Sequence, residues 1–143
     1  LRFPNVVGER STHGALHDFV ARLRKDPSRL VVLGDGTQSK PYLYVRDLVE
    51  AILLVRDRAP EPLAVYHVGP EDRTVVSEIA TIVVDEMGLH GIPIEYTGGT
   101  RGWVGDVPRF GYDLSKIRAL GFAAPRPSTE AVRLAVRRML GAA

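Results

Sequence analysis

The stretch RLVVLGDGTQSKPYLYVRDLVEAIL, residues 29–53, decides the fold because it contains strand, turn and helix signals in one run. The apolar run Leu30–Leu33 predicts a short buried strand, and Gly34-Asp35-Gly36 predicts the tight turn that closes it. Tyr42–Val45 predicts a second extended piece. The helix predicted over Arg46–Arg56 is apolar nearly all round, so we expect it to be buried.

The same alternation of strand and helix signals extends to both ends of the chain. Thr74, Asp113 and Ser128 stand before apolar residues at helical spacing, so we expect each to cap a helix. A further helix is predicted from Ala15, and further strands are predicted at Leu1–Val7, Val65–Val68 and Ile92–Tyr96. Strands that alternate with helices predict an α/β or mixed α+β class.

Composition excludes several classes of protein. The chain has 143 residues, 45% hydrophobic and 25% charged, which suits one globular domain with a real core. It has no cysteine, which excludes disulfides and thiolate metal sites and fits a reducing, cytoplasmic setting. The four histidines show no metal-ligand spacing, so no metal site is predicted. The net charge of +2 comes from scattered residues rather than a basic stripe, which argues against nucleic acid, and no apolar run could span a membrane.

The first residues suggest that the sequence is a piece of a longer protein. LRFPNVV, residues 1–7, reads as a strand that is already under way at Leu1. We therefore expect residues 1–143 to form one domain of a larger chain.

Tyr112 and Lys116 stand four apart, which on a helix would place both side chains on one face. A nearby cation lowers the pKa of a tyrosine, so such a pair could serve an oxidoreductase in proton transfer. However, Asp113 is the expected N-cap, which leaves Tyr112 outside the helix, and the spacing arises readily by chance. We interpret the pair as non-catalytic.

Four stretches, taken in order, resemble the C-terminal part of the extended short-chain dehydrogenase/reductases. They are closest to the nucleotide-sugar epimerases and dehydratases, in particular to UDP-glucose 4-epimerase-like proteins. The stretches are LRFPNVVGER (1–10), STHGALHDFVARL (11–23), residues 29–53 and RGWVGDVPRFGYDLSKIRALGF (101–122). The resemblance implies a small C-terminal substrate-binding domain, α/β (mixed α+β), of an NAD(P)-binding Rossmann-type enzyme. The family's catalytic Tyr-x-x-x-Lys and its glycine-rich fingerprint would lie upstream, so no catalytic residue is expected here.

The resemblance also implies which residues contact the phosphate of the substrate and the nicotinamide of NAD. Asn5 matches an asparagine that donates to the substrate phosphate, and its alternative role is to satisfy local backbone. Phe3 matches an aromatic beside the nicotinamide of NAD, or it is plain core. Lys40 stands where many relatives carry Arg, and would neutralise a phosphate as a point charge unless it is simply solvated.

Four more residues would surround the base and sugar. Val32 and Leu33 end a strand whose backbone could pair with the base edge, and Leu16 could line the same pocket; core packing is the alternative for all three. Gln38 could reach the base or sugar, although turn polarity explains it equally well.

A glycine-rich loop would complete the site. Asp106 matches a carboxylate that accepts from the ribose hydroxyls, or it is a turn residue. Trp103 stands where many relatives carry Arg, so the diphosphate role passes to Arg101. Phe110 matches an aromatic near the nucleotide, with core packing as the alternative.

The expected function is therefore the substrate-binding portion of an NAD-dependent 4-epimerase acting on a UDP-hexose or UDP-uronic acid. The partner is a UDP-sugar, NAD is held mainly by the missing N-terminal half, and the whole enzyme is expected to be a cytoplasmic homodimer. The fragment alone is expected to be inactive. The alternatives are a 4,6-dehydratase or decarboxylase of the same superfamily, and a free-standing, non-catalytic nucleotide-binding module.

Overall fold

A computed structural model describes residues 1–100 and 110–141. Its strands are β1 (Asn5–Val7), β2 (Leu30–Val32), β3 (Ser39–Lys40), β4 (Tyr42–Tyr44), β5 (Thr74–Val75) and β6 (Ile94–Tyr96). Its helices are α1 (Ala15–Lys25), α2 (Val45–Arg58), α3 (Val76–Glu86), α4 (Ser115–Ala119) and α5 (Ser128–Met139). The mixed α/β class predicted from the sequence is confirmed.

The described strands form three two-stranded sheets. β1 runs parallel to β4, β2 runs parallel to β6, and β3 is antiparallel to β5. Ahead of β1, Arg2 forms a parallel bridge with His67, in which its N–H donates to Tyr66 and its C=O accepts from Val68, each at 2.9 Å. Parallel neighbours need a long crossover, and the helices between these strands supply it.

Two apolar clusters form the interior. The first joins α1, α3 and α5 to β2 and β4, and the second joins α2 and α4 to β4 and the segment around Val68. β4 serves both clusters because side chains alternate along a strand: Tyr42 and Tyr44 enter the first cluster, whereas Leu43 enters the second.

The expectation that α2 is buried all round is wrong. Leu48 and Ala51 are buried in the second cluster, but Val49, Ile52 and Leu53 are 48%, 43% and 44% exposed. The reason is that the described residues supply a packing surface on one side of this helix only.

The start of α4 differs slightly from the prediction. The helix begins at Ser115, and Leu114 rather than Asp113 is its N-cap residue. Asp113 still stabilises this end, because its Oδ1 accepts from the N–H of Ser115 at 2.9 Å. Tyr112 lies outside the helix, as the non-catalytic interpretation requires.

Candidate functional site

Asn5 lies on an exposed position of β1, directly opposite Tyr42 of β4. Lys40 ends β3, two residues before Tyr42 in the chain, so the strand of Asn5 pairs with the strand that comes after Lys40. The Asn5 side chain makes no hydrogen bond with any residue in 1–100 or 110–141. The alternative, in which Asn5 satisfies local backbone, therefore finds no support in the described part of the chain.

Phe3 and Phe110 are connected through Tyr112. The Tyr112 hydroxyl donates to the Phe3 carbonyl at 3.0 Å, and the rings of Phe110 and Tyr112 meet edge to face with centroids 5.6 Å apart. Phe3 is 44% exposed, which disfavours the core alternative for it. An exposed aromatic ring therefore lies two residues from Asn5.

Tyr112 and Lys116 point to different partners. Tyr112 binds the Phe3 backbone, whereas the Lys116 ammonium lies 3.2 Å from the Glu61 carboxylate and 4.7 Å from the centre of the Tyr66 ring. This geometry supports the interpretation of the pair as non-catalytic.

The segment between β2 and β3 holds a rigid turn. Gly34 and Gly36 have φ values of 82° and 78°, and a Cβ on Gly36 would collide with the Tyr96 ring. Asp35 accepts from both the N–H and the hydroxyl of Thr37, at 2.9 and 2.7 Å, and these bonds lower the pKa of Asp35. The predicted turn is confirmed, and it fixes the course of the chain into Gln38 and β3.

Gln38 is the most unusual polar residue in this segment. Its side chain is 2% exposed, and neither amide atom has a hydrogen-bond partner among the described residues. Its backbone is engaged, because the carbonyl accepts from the N–H of Val76 at 2.9 Å. Burial of an unpaired amide costs free energy, so turn polarity does not account for this side chain.

The residues predicted to surround the base divide into two groups. Leu16 and Val32 are buried in the first cluster, and the Val32 carbonyl already accepts from the N–H of Thr97 at 3.0 Å. Both observations favour core packing, the alternative that the sequence left open. Leu33, by contrast, is 47% exposed.

Tyr96 is a candidate that the sequence reasoning missed. It ends β6 opposite Val32, lies against the Gly36 turn and is 42% exposed. The available signal was an aromatic residue at a strand end, immediately before a glycine-rich loop. Tyr96 and Leu33 are thus an exposed aromatic and an exposed aliphatic residue at the ends of the paired strands β6 and β2.

Some of the predicted site residues are not among the residues that the structure describes. Arg101, Trp103 and Asp106 fall outside the described residues, so the roles assigned to Arg101 and Asp106 stay predictions. Phe110 is the first residue described after that gap, and it is half-buried. Within residues 1–100 and 110–141, no group of His, Asp or Glu side chains is arranged to hold a metal ion.

Two cavities lie apart from these residues. One, of about 430 Å³, is lined by residues 6–13 and Val45. The other, of about 390 Å³, lies between residues 69–72 and the segment from Leu114 to Pro127. Neither is lined by Asn5, Gln38 or Lys40. Among the described candidate residues, Asn5, Leu33 and Tyr96 are exposed, whereas Gln38 is buried.

Comparison with known proteins shows what this chain is similar to. Residues 1–69 match the model of the NAD dependent epimerase/dehydratase family. A protein from Methanocaldococcus jannaschii, provisionally named a UDP-glucose 4-epimerase, is 28% identical over 97% of this chain and 44% of its own. A crystal structure of UDP-galactose 4-epimerase matches with a TM-score of 0.81 and 35% identity, over 98% of this chain and 44% of that one.

A third relative was solved with a substrate. The crystal structure of UDP-glucose 4-epimerase from Thermotoga maritima with UDP-glucose has a TM-score of 0.76 and 26% identity, over 98% of this chain and 45% of that one. The fold is thus that of the nucleotide-sugar epimerases. These matches confirm the resemblance predicted from the sequence, and the structural one extends over nearly the whole chain. The chain spans less than half the length of these relatives.

No helix within the described ranges has both the length and the apolar character needed to cross a membrane.

Proposed function

We propose that this chain is the substrate-binding portion of an NAD-dependent nucleotide-sugar epimerase that acts at C4 of a UDP-hexose or UDP-uronic acid. The observation that carries the proposal is the pairing of Asn5 with Tyr42, two residues after Lys40 in the chain, with the Asn5 amide exposed and unpartnered among the described residues. The three relatives described above are named UDP-glucose or UDP-galactose 4-epimerases.

Asn5 and Lys40 have the chemistry that a diphosphate requires. An amide N–H and an ammonium both donate to phosphate oxygens, and the charged donor makes the stronger bond. Lysine acts as a point charge, without the bidentate fork of an arginine. In the proposal Arg101 supplies a second cation and Asp106 accepts from the ribose hydroxyls.

The base would lie against Leu33 and Tyr96. Ligand sites combine apolar and aromatic walls with a few polar groups that fix orientation, and the exposed side chains of Leu33 and Tyr96 supply such a wall. Gln38 supplies a polar group near the same segment. A wall of this kind holds the nucleotide end of the substrate and leaves the sugar free to turn between the two faces of its ketone.

For NAD, the chain offers one fitting group, the exposed ring of Phe3, which is suited to lie against the flat nicotinamide. NAD would accept and return the hydride at C4. The sequence contains no glycine-rich fingerprint, so we assign most of the cofactor's binding to an N-terminal half outside residues 1–143. The chain alone is accordingly proposed to be inactive, and the cytoplasmic location and homodimeric state belong to the same proposal.

The test is calorimetric competition on the longer protein read from the same frame, with UDP, ADP, GDP and dTDP. We expect UDP to bind most tightly, and conversion of UDP-galactose, UDP-glucose or UDP-glucuronate to accompany it. Equal binding of ADP or GDP would contradict the base assignment. A clear preference for dTDP would replace the epimerase with a dehydratase.

A further inference from the structure

Lys40, the cation proposed to contact the diphosphate, lies in a segment that has little support of its own. β3 has two residues, and its partner among the described strands is the equally short β5. A two-stranded ladder is marginally stable in water unless packing adds to it. Contacts other than the ladder must therefore keep the backbone of Lys40 in place.

Thr74 supports Lys40 from across this ladder. The register of the antiparallel pair places Thr74 directly opposite Lys40, so the two side chains leave the same face of the pair. Thr74 is fully buried, whereas Lys40 is half-buried. The stem of the lysine therefore begins beside a residue that is enclosed in the interior.

Ser128 restrains the same segment from beyond the end of β3. Its Oγ lies 2.6 Å from the hydroxyl of Thr74 and accepts from the N–H of Tyr42 at 3.0 Å. Pro41 joins Lys40 to Tyr42, and a residue that precedes a proline is biased toward extended conformations. The backbone of Lys40 is thus restrained from two directions, which meet at one buried pair of hydroxyls.

A lysine depends on such restraint more than an arginine does. Its ammonium is a point charge on a flexible four-carbon stem, without the planar fork that pre-organises an arginine. A flexible side chain loses rotamer freedom when it binds a ligand, and pre-organisation of the site reduces the total cost of ordering. A fixed backbone at Lys40 therefore strengthens the contact between its ammonium and a phosphate.

We propose that Thr74 and Ser128 are positioning residues, which hold Lys40 where its ammonium meets the diphosphate of the substrate. The inference rests on the proposed function, in which Lys40 contacts that diphosphate. Neither hydroxyl touches the ligand, because both act through the lysine. Loss of either hydroxyl is therefore expected to weaken diphosphate binding only while Lys40 is present.

The experiment is a double-mutant cycle on the protein expressed from the complete reading frame, with UDP as the probe and calorimetry as the measurement. Thr74→Val removes the hydroxyl and keeps the shape of the side chain. We expect it to weaken UDP binding about three- to tenfold in the wild-type background and less than about 1.5-fold in the Lys40→Ala background. Thr74→Ser keeps a hydroxyl and is expected to retain most of the affinity. Thr81→Val, at an exposed hydroxyl on α3, is the matched control and is expected to leave UDP binding unchanged.

Equal losses of UDP affinity in the two backgrounds would overturn the inference, because a purely structural effect does not depend on Lys40. A Lys40→Ala effect without any coupling to Thr74 would overturn the positioning role alone. If Lys40→Ala itself leaves UDP binding unchanged, the phosphate contact of the proposed function is refuted and the inference falls with it. Ser128→Ala takes the place of Thr74→Val, with the same expectations, should Thr74→Val fail to fold.

Discussion

The side-chain hydroxyls of Ser128 and Thr74 lie 2.6 Å apart in the interior, where both residues are fully buried. Ser128 Oγ also accepts from the N–H of Tyr42 at 3.0 Å, and its own N–H donates to the Asp72 carboxylate at 2.9 Å. Ser128 thereby connects α5 to β5 and β4, and β4 begins two residues after Lys40.

Ser128→Ala removes this link. The Tyr42 N–H loses its hydrogen bond to Ser128 Oγ inside the protein, and removal of one partner of a buried hydrogen bond costs about 1–3 kcal/mol of unfolding free energy. Urea titration of the 143-residue chain measures the loss. Thr81→Ala, which removes an exposed hydroxyl on α3, is the matched control and is expected to change stability by less than about 0.5 kcal/mol. Equal losses in the two variants would show that the buried network adds nothing.

Gln38→Leu separates binding from stability. Because the amide is buried without a partner in the described residues, an apolar side chain of similar size is expected to raise the unfolding free energy by about 1 kcal/mol. If the amide serves the substrate, the same variant of the longer protein binds its UDP-sugar roughly three- to tenfold more weakly. Denaturation and calorimetry give the two numbers. Lower stability with unchanged affinity would make Gln38 a structural residue.

Lys40→Ala tests the phosphate contact. Loss of a charge-assisted hydrogen bond costs roughly 1.5–3 kcal/mol, so we expect KM of the longer protein to rise at least about tenfold, with the melting temperature near wild type. Asp106→Ala is expected to behave in the same way. Lys25→Ala removes an exposed cation from the end of α1 and is expected to leave KM unchanged. Wild-type kinetics for both Lys40→Ala and Asp106→Ala would refute the site.

Glu86→Gln is expected to lower stability in a pH-dependent way. Glu86 accepts from Arg137 and Arg133 at 2.8 and 2.7 Å, and these bonds lower its pKa below the ordinary 4.5. Between the two pKa values the unfolded chain binds more protons at Glu86 than the folded chain does. The stabilisation is therefore present above pH of about 4.5, and it is lost as the pH falls through the lower pKa of the folded state. Melting curves at pH 7 should differ between wild type and variant, and curves at pH 3 should approach each other.

The exposed pair of Arg29 and Glu95, at 3.4 Å, provides the control for that experiment. Glu95→Gln is expected to change the melting temperature little at either pH, because exposed ion pairs are worth little. A Glu86→Gln effect that stayed constant from pH 7 to pH 3 would contradict the role of its ionisation.

Tyr112→Phe should leave catalysis intact. The variant loses only the bond to the Phe3 carbonyl, and Lys116 has other partners. We expect the 143-residue chain to convert no UDP-galactose with NAD, and the longer protein to keep its kcat in the variant. Product formed by the 143-residue chain and abolished in Tyr112→Phe would reverse both the proposed inactivity and the non-catalytic interpretation.

The parts of the fold that sequence predicted depend on local chemistry. The turn at Gly34-Asp35-Gly36 needs only two glycines with positive φ and an aspartate that bonds two residues ahead. Thr74 and Ser128 were predicted as helix caps on equally local grounds, and both predictions are wrong. Their hydroxyls bond each other, because tertiary burial offered a partner that no local pattern encodes.

The candidate site shows the same division. Residue type and order select Asn5 and Lys40 as candidates, because the ordered resemblance carries both, and their roles stay predictions. The exposure of each side chain was not predictable, because it depends on which distant parts of the chain pack against it. Val32 is buried, whereas Leu33, the next residue, is exposed. Tyr96 joined the candidate surface only through the pairing of β6 with β2, a contact between distant parts of the chain.

That pairing also has a consequence during synthesis. β2 can pair with β6 only after Ile94–Tyr96 has left the ribosome. Arg2 can form its bridge only after His67 has been synthesised. Pairing between distant strands requires large loops to close, and the entropy cost of closure comes before any stabilising contact forms. Folding is therefore slow compared with that of a helical bundle of this size. Until then Leu30–Val32 is an unpaired apolar strand, and nascent chains that stall between Val32 and Ile94 are the ones we expect chaperones to hold.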